Sequence, residues 1–268
     1  MSAYFAIFRA ALLTLLRYRL AALSGLFTQG FWGVLRISMF LACYAGLHSK
    51  SGTPMAMEQV IDYVWLGQAC FTLLPIRVDA NVTAMMKDGT IAYELARPLD
   101  LYSWWYARSV ALRLAPALLR GPPLALMAAL LPSPWGLRAP HDLGAAALFV
   151  LGLLASLALS AALTALLSVV TTMTVNGEGV ARLFALCSWL CSGMLLPLAL
   201  FPNSLRWLFE SLPFAGIIDT PLRLYVGSLS GEAALFALAR QLAWTAALLL
   251  IGRRLLAHAL RRVVVQGG

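Results

Sequence analysis

Charged residues are scarce in this sequence. Asp, Glu, Lys and Arg make up 12% of the 268 residues, and 61% of the residues are hydrophobic. Ordinary soluble domains carry roughly 25% charged residues. A soluble chain of this length would still need a polar surface, because exposed area falls only slowly as size grows. The shortage of charge therefore excludes an ordinary soluble domain and predicts a protein that is dissolved in lipid.

Lysine is nearly absent, and the motifs of common catalytic sites are missing. Neither Lys50 nor Lys87 follows a glycine, so the chain has no G-x-x-x-x-G-K-[ST] loop to hold ATP phosphates. No H-E-x-x-H or G-x-S-x-G occurs, and the three histidines lie in separate flanks without metal-ligand spacing. We expect a chain that is not an enzyme and that holds no metal or cofactor itself.

The cysteines and the net charge both have ordinary explanations. Cys43, Cys70, Cys187 and Cys191 lie inside apolar segments without neighbouring His or carboxylate groups, so we expect them to pack as small hydrophobes. The net charge of +9 comes mainly from arginines that flank apolar runs. That pattern is typical of cytoplasmic membrane anchors and argues against nucleic-acid binding.

Six apolar runs are long enough to cross a membrane, which takes about 20 residues. The predicted spans are about 23–47, 58–78, 104–131, 144–172, 180–201 and 233–252. The third is the least typical, because it carries three arginines and three prolines. Basic residues are about three times as frequent on one set of flanks, which places both termini in the cytoplasm. The prediction is a single all-α polytopic membrane domain over residues 1–268.

Two segments outside these spans are also predicted to be ordered. Residues 3–20 have an imperfect amphipathic pattern, which fits an interfacial helix or a plain extension of the first span. Residues 79–103 form the longest predicted cytoplasmic loop and contain two short helical patterns, the first closed by Gly89 and the second by Pro98. Periodicity leaves two interpretations of this loop open, a docking helix for another protein or a solvated loop whose charges set the topology.

Three stretches carry a resemblance to a known family. "GTIAYELARPLDLYSWWYARS", "YRLAALSGLFTQGFWG" and "LPFAGIIDTPLRLYVG" resemble the membrane-spanning subunit of type-2 ATP-binding-cassette exporters. The resemblance implies six helices, an N-terminal interfacial helix, a cytoplasmic coupling helix, and short re-entrant helices between the fifth and sixth spans, at residues 202–226. It implies ATPase-coupling residues Lys87, Asp88, Gly89, Glu94 and Arg97, and by the same likeness the outer gate would contain Pro202, Arg206, Glu210 and Pro213.

The resemblance also implies partners and a role. We expect two copies of a separate ATPase that binds ATP and Mg, and a second permease chain that is either identical or a sister subunit. The expected location is the bacterial cytoplasmic membrane, and the expected cargo is lipophilic or amphipathic, with a cationic drug-like compound as one option. Two other functions stay open: a membrane anchor that recruits a cytoplasmic protein, and an ion-coupled secondary transporter.

Polar side chains inside the predicted spans are costly and are therefore candidate pathway residues. They are Gln29, Arg36, Asp62, Arg113, Arg120 and Arg240. Arg36 and Asp62 fall at similar predicted depths, which favours an ion pair; the alternative is that Asp62 attracts a cationic substrate. Arg113 and Arg120 are seven residues apart and share one helix face, where lipid headgroups or a sister subunit could contact them.

Overall fold

The structure is a computed structural model that describes residues 3–17, 19–46, 53–76, 79, 82, 84–85, 100–174 and 177–261. These residues contain helices and no strand, which confirms the all-α class. The helices are α1 (Ala3–Leu16), α2 (Arg19–Ala45), α3 (Met57–Cys70), α4 (Leu101–Ala129), α5 (Leu143–Met173), α6 (Gly177–Cys191), α7 (Asn203–Ser211), α8 (Asp219–Tyr225) and α9 (Gly231–Leu260). Short 3-10 turns occupy Phe71–Leu73, Leu198–Leu200 and Pro213–Gly216.

Four of these helices are long and apolar enough to cross a membrane. They contain the segments Ser24–Ala45, Leu101–Ala129, Leu143–Thr171 and Gly231–Leu260. The second and fifth predicted spans coincide with α3 and α6, which have only 14 and 15 residues. Helices of that length cover roughly 22 Å of a hydrocarbon core about 30 Å thick. The chain is a multi-pass membrane protein by these criteria, and the count of six spans stays a prediction.

Both shorter helices end earlier than the sequence predicted. The run at 58–78 stops being α-helical at Cys70, and the run at 180–201 stops at Cys191. Gly193 turns the chain after α6 with a φ of +81°, and a Cβ atom there would lie 2.4 Å from the Tyr63 hydroxyl. Only glycine fits both the backbone angle and this close approach. Sequence composition did not indicate these breaks, because apolar residues continue past them, and the bounds of the two spans stay a prediction.

The third predicted span, which carries arginines and prolines, is one continuous helix. α4 runs through Pro116, Pro122 and Pro123 without interruption. It begins where the Asp100 side chain accepts a hydrogen bond from the Ser103 backbone N–H at 2.9 Å, an N-terminal cap.

The α5 helix lies at the centre of the packing and contacts α4, α6, α8 and α9. One face of α5 carries a fully buried hydroxyl residue every four positions, at Ser156, Ser160, Thr164 and Ser168. This spacing places them on one side of the helix. The Ser156 hydroxyl donates to the Ile217 carbonyl, and the Ser160 hydroxyl donates to the Leu73 carbonyl. The face therefore supplies donors to two places where the neighbouring backbone is not α-helical.

Side chains from other helices satisfy the same breaks. Arg113 of α4 donates to the Leu74 carbonyl at 2.8 Å, just beyond the end of α3. Gln241 of α9 donates to the Gly216 carbonyl at 2.6 Å and to the Gly152 carbonyl at 3.2 Å. Irregular backbone away from water is tolerated only where protein supplies its hydrogen bonds. These contacts fix the segment between α6 and α9 on top of α5 and α9.

The N-terminal helix is present at Ala3–Leu16 and packs against α4. Phe5 and Leu13 are about half exposed. Its predicted position at the inner membrane surface stays a prediction.

Candidate functional site

The segment between α6 and α9 brings a group of charged residues to Tyr63 in the middle of α3. We call Tyr63, Arg206, Glu210, Asp219 and Arg223 the outer polar cluster. Asp219 is 1% exposed and lies in the first turn of α8, and Arg223 follows it one helical turn later with 5% exposure. Buried charges need compensating partners, and the structure supplies them from three separate elements.

Asp219 is the centre of the outer polar cluster. Its Oδ1 atom accepts a hydrogen bond from the Leu198 backbone N–H at 3.0 Å and lies 3.0 Å from the Tyr63 hydroxyl. The single Tyr63 proton is shared between this oxygen and the Gly193 carbonyl at 3.1 Å. The Oδ2 atom of Asp219 lies 3.3 Å from Nη1 of Arg223. One carboxylate therefore joins α3, the turn after α6, and α8.

Arg223 extends the cluster to α7. Its Nη1 atom lies 2.5 Å from Oε1 of Glu210, which also accepts a hydrogen bond from Nε of Arg206 at 2.8 Å. Burial alone would raise the pKa of Glu210, but the hydrogen bonds and charges of Arg206 and Arg223 outweigh it and lower the pKa. Glu210 is thus held as a carboxylate between two guanidinium groups.

The predicted gate residues occupy distinct places around this cluster. Pro202 is exposed and precedes the first residue of α7, whereas Pro213 is buried and begins a 3-10 turn. Arg206 and Glu210 lie on the inner side of α7, and Trp207 on its outer side is 72% exposed. α7 therefore turns its charged face toward the protein. A gating role for these four residues stays a prediction.

Sequence reasoning missed Asp219 and Arg223 as site residues. Both stand in "IIDTPLRLYVG", where two opposite charges four residues apart interrupt an apolar stretch. That spacing is the signal that could have found them, because residues at i and i+4 meet on one helix face. Tyr63 carried no comparable signal in an aromatic-rich helix.

The predicted ion pair between Arg36 and Asp62 is wrong. Asp62 instead binds Arg138, with Oδ2 lying 2.7 Å from Nη2 and 3.1 Å from Nε, and its Oδ1 accepts the Arg138 backbone N–H at 2.9 Å. Arg36 donates to the Leu195 carbonyl at 2.7 Å. The loop between α4 and α5 folds back over α3, and Arg138 donates to both carboxylate oxygens of Asp62, from its side chain to Oδ2 and from its backbone N–H to Oδ1.

The remaining intramembrane candidates have different surroundings. Arg113 is 7% exposed and reaches the Thr164 hydroxyl at 2.9 Å, so it faces α5. Arg120 lies against α2 instead, because a Cβ atom at Gly25 would be 2.5 Å from its guanidinium carbon. Both arginines lie on one face of α4, but Arg113 contacts α5 and Arg120 contacts α2.

The other two candidates lie in α2 and α9. Gln29 is 5% exposed, and neither of its amide atoms has a hydrogen-bond partner within the described part of the chain. The Arg240 guanidinium stands over the Phe236 ring at 6.0 Å from its centroid.

The predicted coupling residues Lys87, Asp88, Gly89, Glu94 and Arg97 lie outside the described residues. The chain on either side of them is anchored. Asp79 pairs with Arg108 of α4 at 2.8 Å, and Asp100 lies 3.9 Å from Arg253 of α9. Both flanks of the segment are therefore attached to the membrane helices, at α4 and α9.

The helices and their exposed apolar residues define a class of protein. Long apolar helices with exposed Phe27, Met39, Leu143 and Phe236 fit a lipid-facing surface. This is a helical, multi-pass membrane protein with a polar outer cluster.

A comparison with family models identifies the family. Residues 56–267 match the model described as "ABC-2 family transporter protein". The match covers most of the chain, and the protein belongs to this family. A comparison with curated proteins found no match.

Proposed function

We propose that this chain is the permease subunit of an ATP-driven exporter and forms part of the path of a lipophilic or amphipathic cargo. The family match over residues 56–267 is the observation that carries the proposal. A separate ATPase, present in two copies, binds ATP and Mg and supplies the energy. A second permease chain completes the path. The protein lies in the bacterial cytoplasmic membrane with both termini in the cytoplasm.

The anchored flanks of the coupling segment support this proposal. A force applied by an ATPase to residues 87–97 is passed to α4 through the Asp79–Arg108 pair and to α9 near Asp100. ATP binding changes the transport path only if it favours one helix arrangement over another. The contacts of Asp79 with Arg108 and of Asp100 with Arg253 give a movement of the segment a route to both helices.

The outer polar cluster supports a gate at the opposite end. α7 and α8 are held to α3 and to each other through Asp219, Arg223 and Glu210. A movement of α3 therefore displaces the carboxylate that fixes both short helices. We assign the outer gate to this segment. In this proposal, α7 is released when the contacts made by Arg206 and Glu210 break.

Charge reversal in the coupling segment tests the proposal. Glu94→Arg combined with Arg97→Glu should abolish nucleotide-stimulated transport while the protein still inserts and purifies with normal yield. The matched control reverses the exposed Glu178–Arg182 pair of α6, whose side chains are 78% and 82% exposed. We expect the control to transport normally. Normal transport by the double mutant at 94 and 97 would overturn the coupling assignment.

A further inference from the structure

A cavity of about 490 Å³ lies at the outer end of α2 and α3. Its wall is largely apolar and includes Leu41, Met57 and the ring of Tyr44, with Glu58 at one side. The Tyr44 hydroxyl donates to the Met55 carbonyl at 3.0 Å, which fixes the ring against the cavity wall. Sites for drug-sized molecules have volumes of roughly 300–1,000 Å³ and combine apolar walls with a few polar groups.

Glu58 is exposed and carries a negative charge that no cation among the described residues compensates. It also lines a second cavity of about 230 Å³, on whose wall Arg138 lies. The charge of Arg138 is already compensated by Asp62 through two hydrogen bonds. Within the described ranges Glu58 makes no hydrogen bond or ion pair. The Asp62–Arg138 pair is neutral, so among the described lining residues of the two cavities Glu58 alone contributes a net charge.

Cations with apolar substituents match this chemistry. A carboxylate attracts a positive charge, and an aromatic face such as Tyr44 adds a cation–π contact. Glu58 also lies in the first turn of α3, where a carboxylate is favoured by the helix dipole. The dipole explains an acidic residue at this position but not the apolar cavity beside it.

The cavity at the end of α5 offers a useful contrast. It has about 470 Å³ and is lined by His141 and Asp142. The Asp142 carboxylate accepts the Ala145 backbone N–H at 2.6 Å and lies 3.3 Å from His141. That carboxylate keeps its charge, but both of its oxygens already have partners, whereas the Glu58 carboxylate has none among the residues that the structure describes.

We propose that the cavity between α2 and α3 binds lipophilic organic cations, with Glu58 supplying the charge and Tyr44 the aromatic contact. As a statement about cargo, this rests on the proposed export function, in which the cavity receives the cation on the outer side before release. From the sequence, Asp62 is the candidate residue for attracting a cationic substrate. In the structure Asp62 forms a neutral pair with Arg138. We therefore assign the attraction of cations to Glu58, one helical turn earlier in α3.

Equilibrium binding to the purified chain tests the site without any ATPase. The probe is radiolabelled tetraphenylphosphonium in an uncharged detergent, so that no lipid amine competes, and tetraphenylborate is the anion of the same shape. Glu58→Gln should weaken phosphonium binding about tenfold, which corresponds to about 1.4 kcal/mol. Tetraphenylborate binding should not weaken, because only the cation loses an attractive charge.

Glu232→Gln is the matched control. Glu232 is the second residue of α9, as Glu58 is of α3; both are exposed, and Glu232 does not line this cavity. Both variants therefore lose the same favourable interaction of a carboxylate with its helix dipole. We expect Glu232→Gln to bind phosphonium like the unaltered chain. Tyr44→Phe should bind nearly normally, whereas Tyr44→Ala should lose several-fold in affinity.

Three results would overturn the site: no phosphonium binding by the unaltered chain, unchanged binding in Glu58→Gln, or an equal loss in Glu232→Gln. Failure of the site and failure of the export proposal are distinguishable. ATP-driven transport without phosphonium binding would reject the cavity assignment alone. Phosphonium binding that depends on Glu58, in a chain that no ATPase drives, would support the cavity and reject the export proposal.

Discussion

Replacing Asp219 with Asn removes the central charge of the outer polar cluster with almost no change in shape. The carboxylate is 1% exposed and contacts Tyr63, the Leu198 backbone N–H and Arg223. An amide keeps one oxygen acceptor for the first two contacts. The amide NH2 of the substituted side chain then faces the Arg223 guanidinium. Two hydrogen-bond donors meet there, where the native carboxylate accepts a hydrogen bond from Arg223.

The size of the effect follows from what remains buried. Removing one partner of a buried ion pair costs about 3–5 kcal/mol, because the other charge stays away from water. The Arg223 side chain is 6% exposed but keeps Glu210 at 2.5 Å. This residual compensation favours the lower end, and we expect Asp219→Asn to reduce the free energy of unfolding by about 3 kcal/mol.

Thermal unfolding of the purified protein in detergent measures this loss. About 3 kcal/mol corresponds to a decrease in Tm of roughly 6–12 °C for a chain of this size. Glu178→Gln is the control, because that carboxylate is 78% exposed and its pair with Arg182 should contribute little. The reasoning is refuted if Asp219→Asn unfolds at the same temperature as Glu178→Gln.

Three further predictions concern other contacts. Arg113→Gln should lower the free energy of unfolding by about 2 kcal/mol in denaturant titrations, because it leaves buried acceptors unpaired; no change would contradict the role of Arg113 at the end of α3. Gly252→Ala should lower Tm, since its Cβ would lie 2.1 Å from the Tyr102 hydroxyl, whereas Gly67→Ala meets only ordinary contacts at 3.6 Å and should not. Because the pKa of Glu210 is lowered from 4.5, its stabilising contribution is present above that pH and lost on acidification; the Tm difference from Glu210→Gln should be constant from pH 8 to about 5 and shrink below pH 4.5, and a pH-independent difference would count against the contact.

The membrane class was predictable from composition because burial in lipid depends on hydrophobicity, which the sequence displays directly. Helix ends inside apolar runs were not predictable. The α3 helix stops at Cys70 although apolar residues continue, and the carbonyls that follow are satisfied by Arg113 and Ser160, which are distant in sequence. No local pattern announces a break whose hydrogen bonds are supplied from elsewhere.

Partners of buried charges were only partly predictable. The contact between Asp219 and Arg223 follows from their spacing on one helix. The partner of Asp62 comes from Arg138, in a loop 76 residues away, and depth along the predicted spans pointed to Arg36 instead. Similar depth shows which charges could meet, but the path of a connecting loop decides which ones do.

The most direct test of the account is transport by the purified chain reconstituted in vesicles together with its candidate ATPase. We expect movement of a lipophilic cation only when the ATPase and hydrolysable ATP are both present on the side that carries residues 87–97. Transport that continues without the ATPase, or that needs ATP on the opposite side of the membrane, would contradict it.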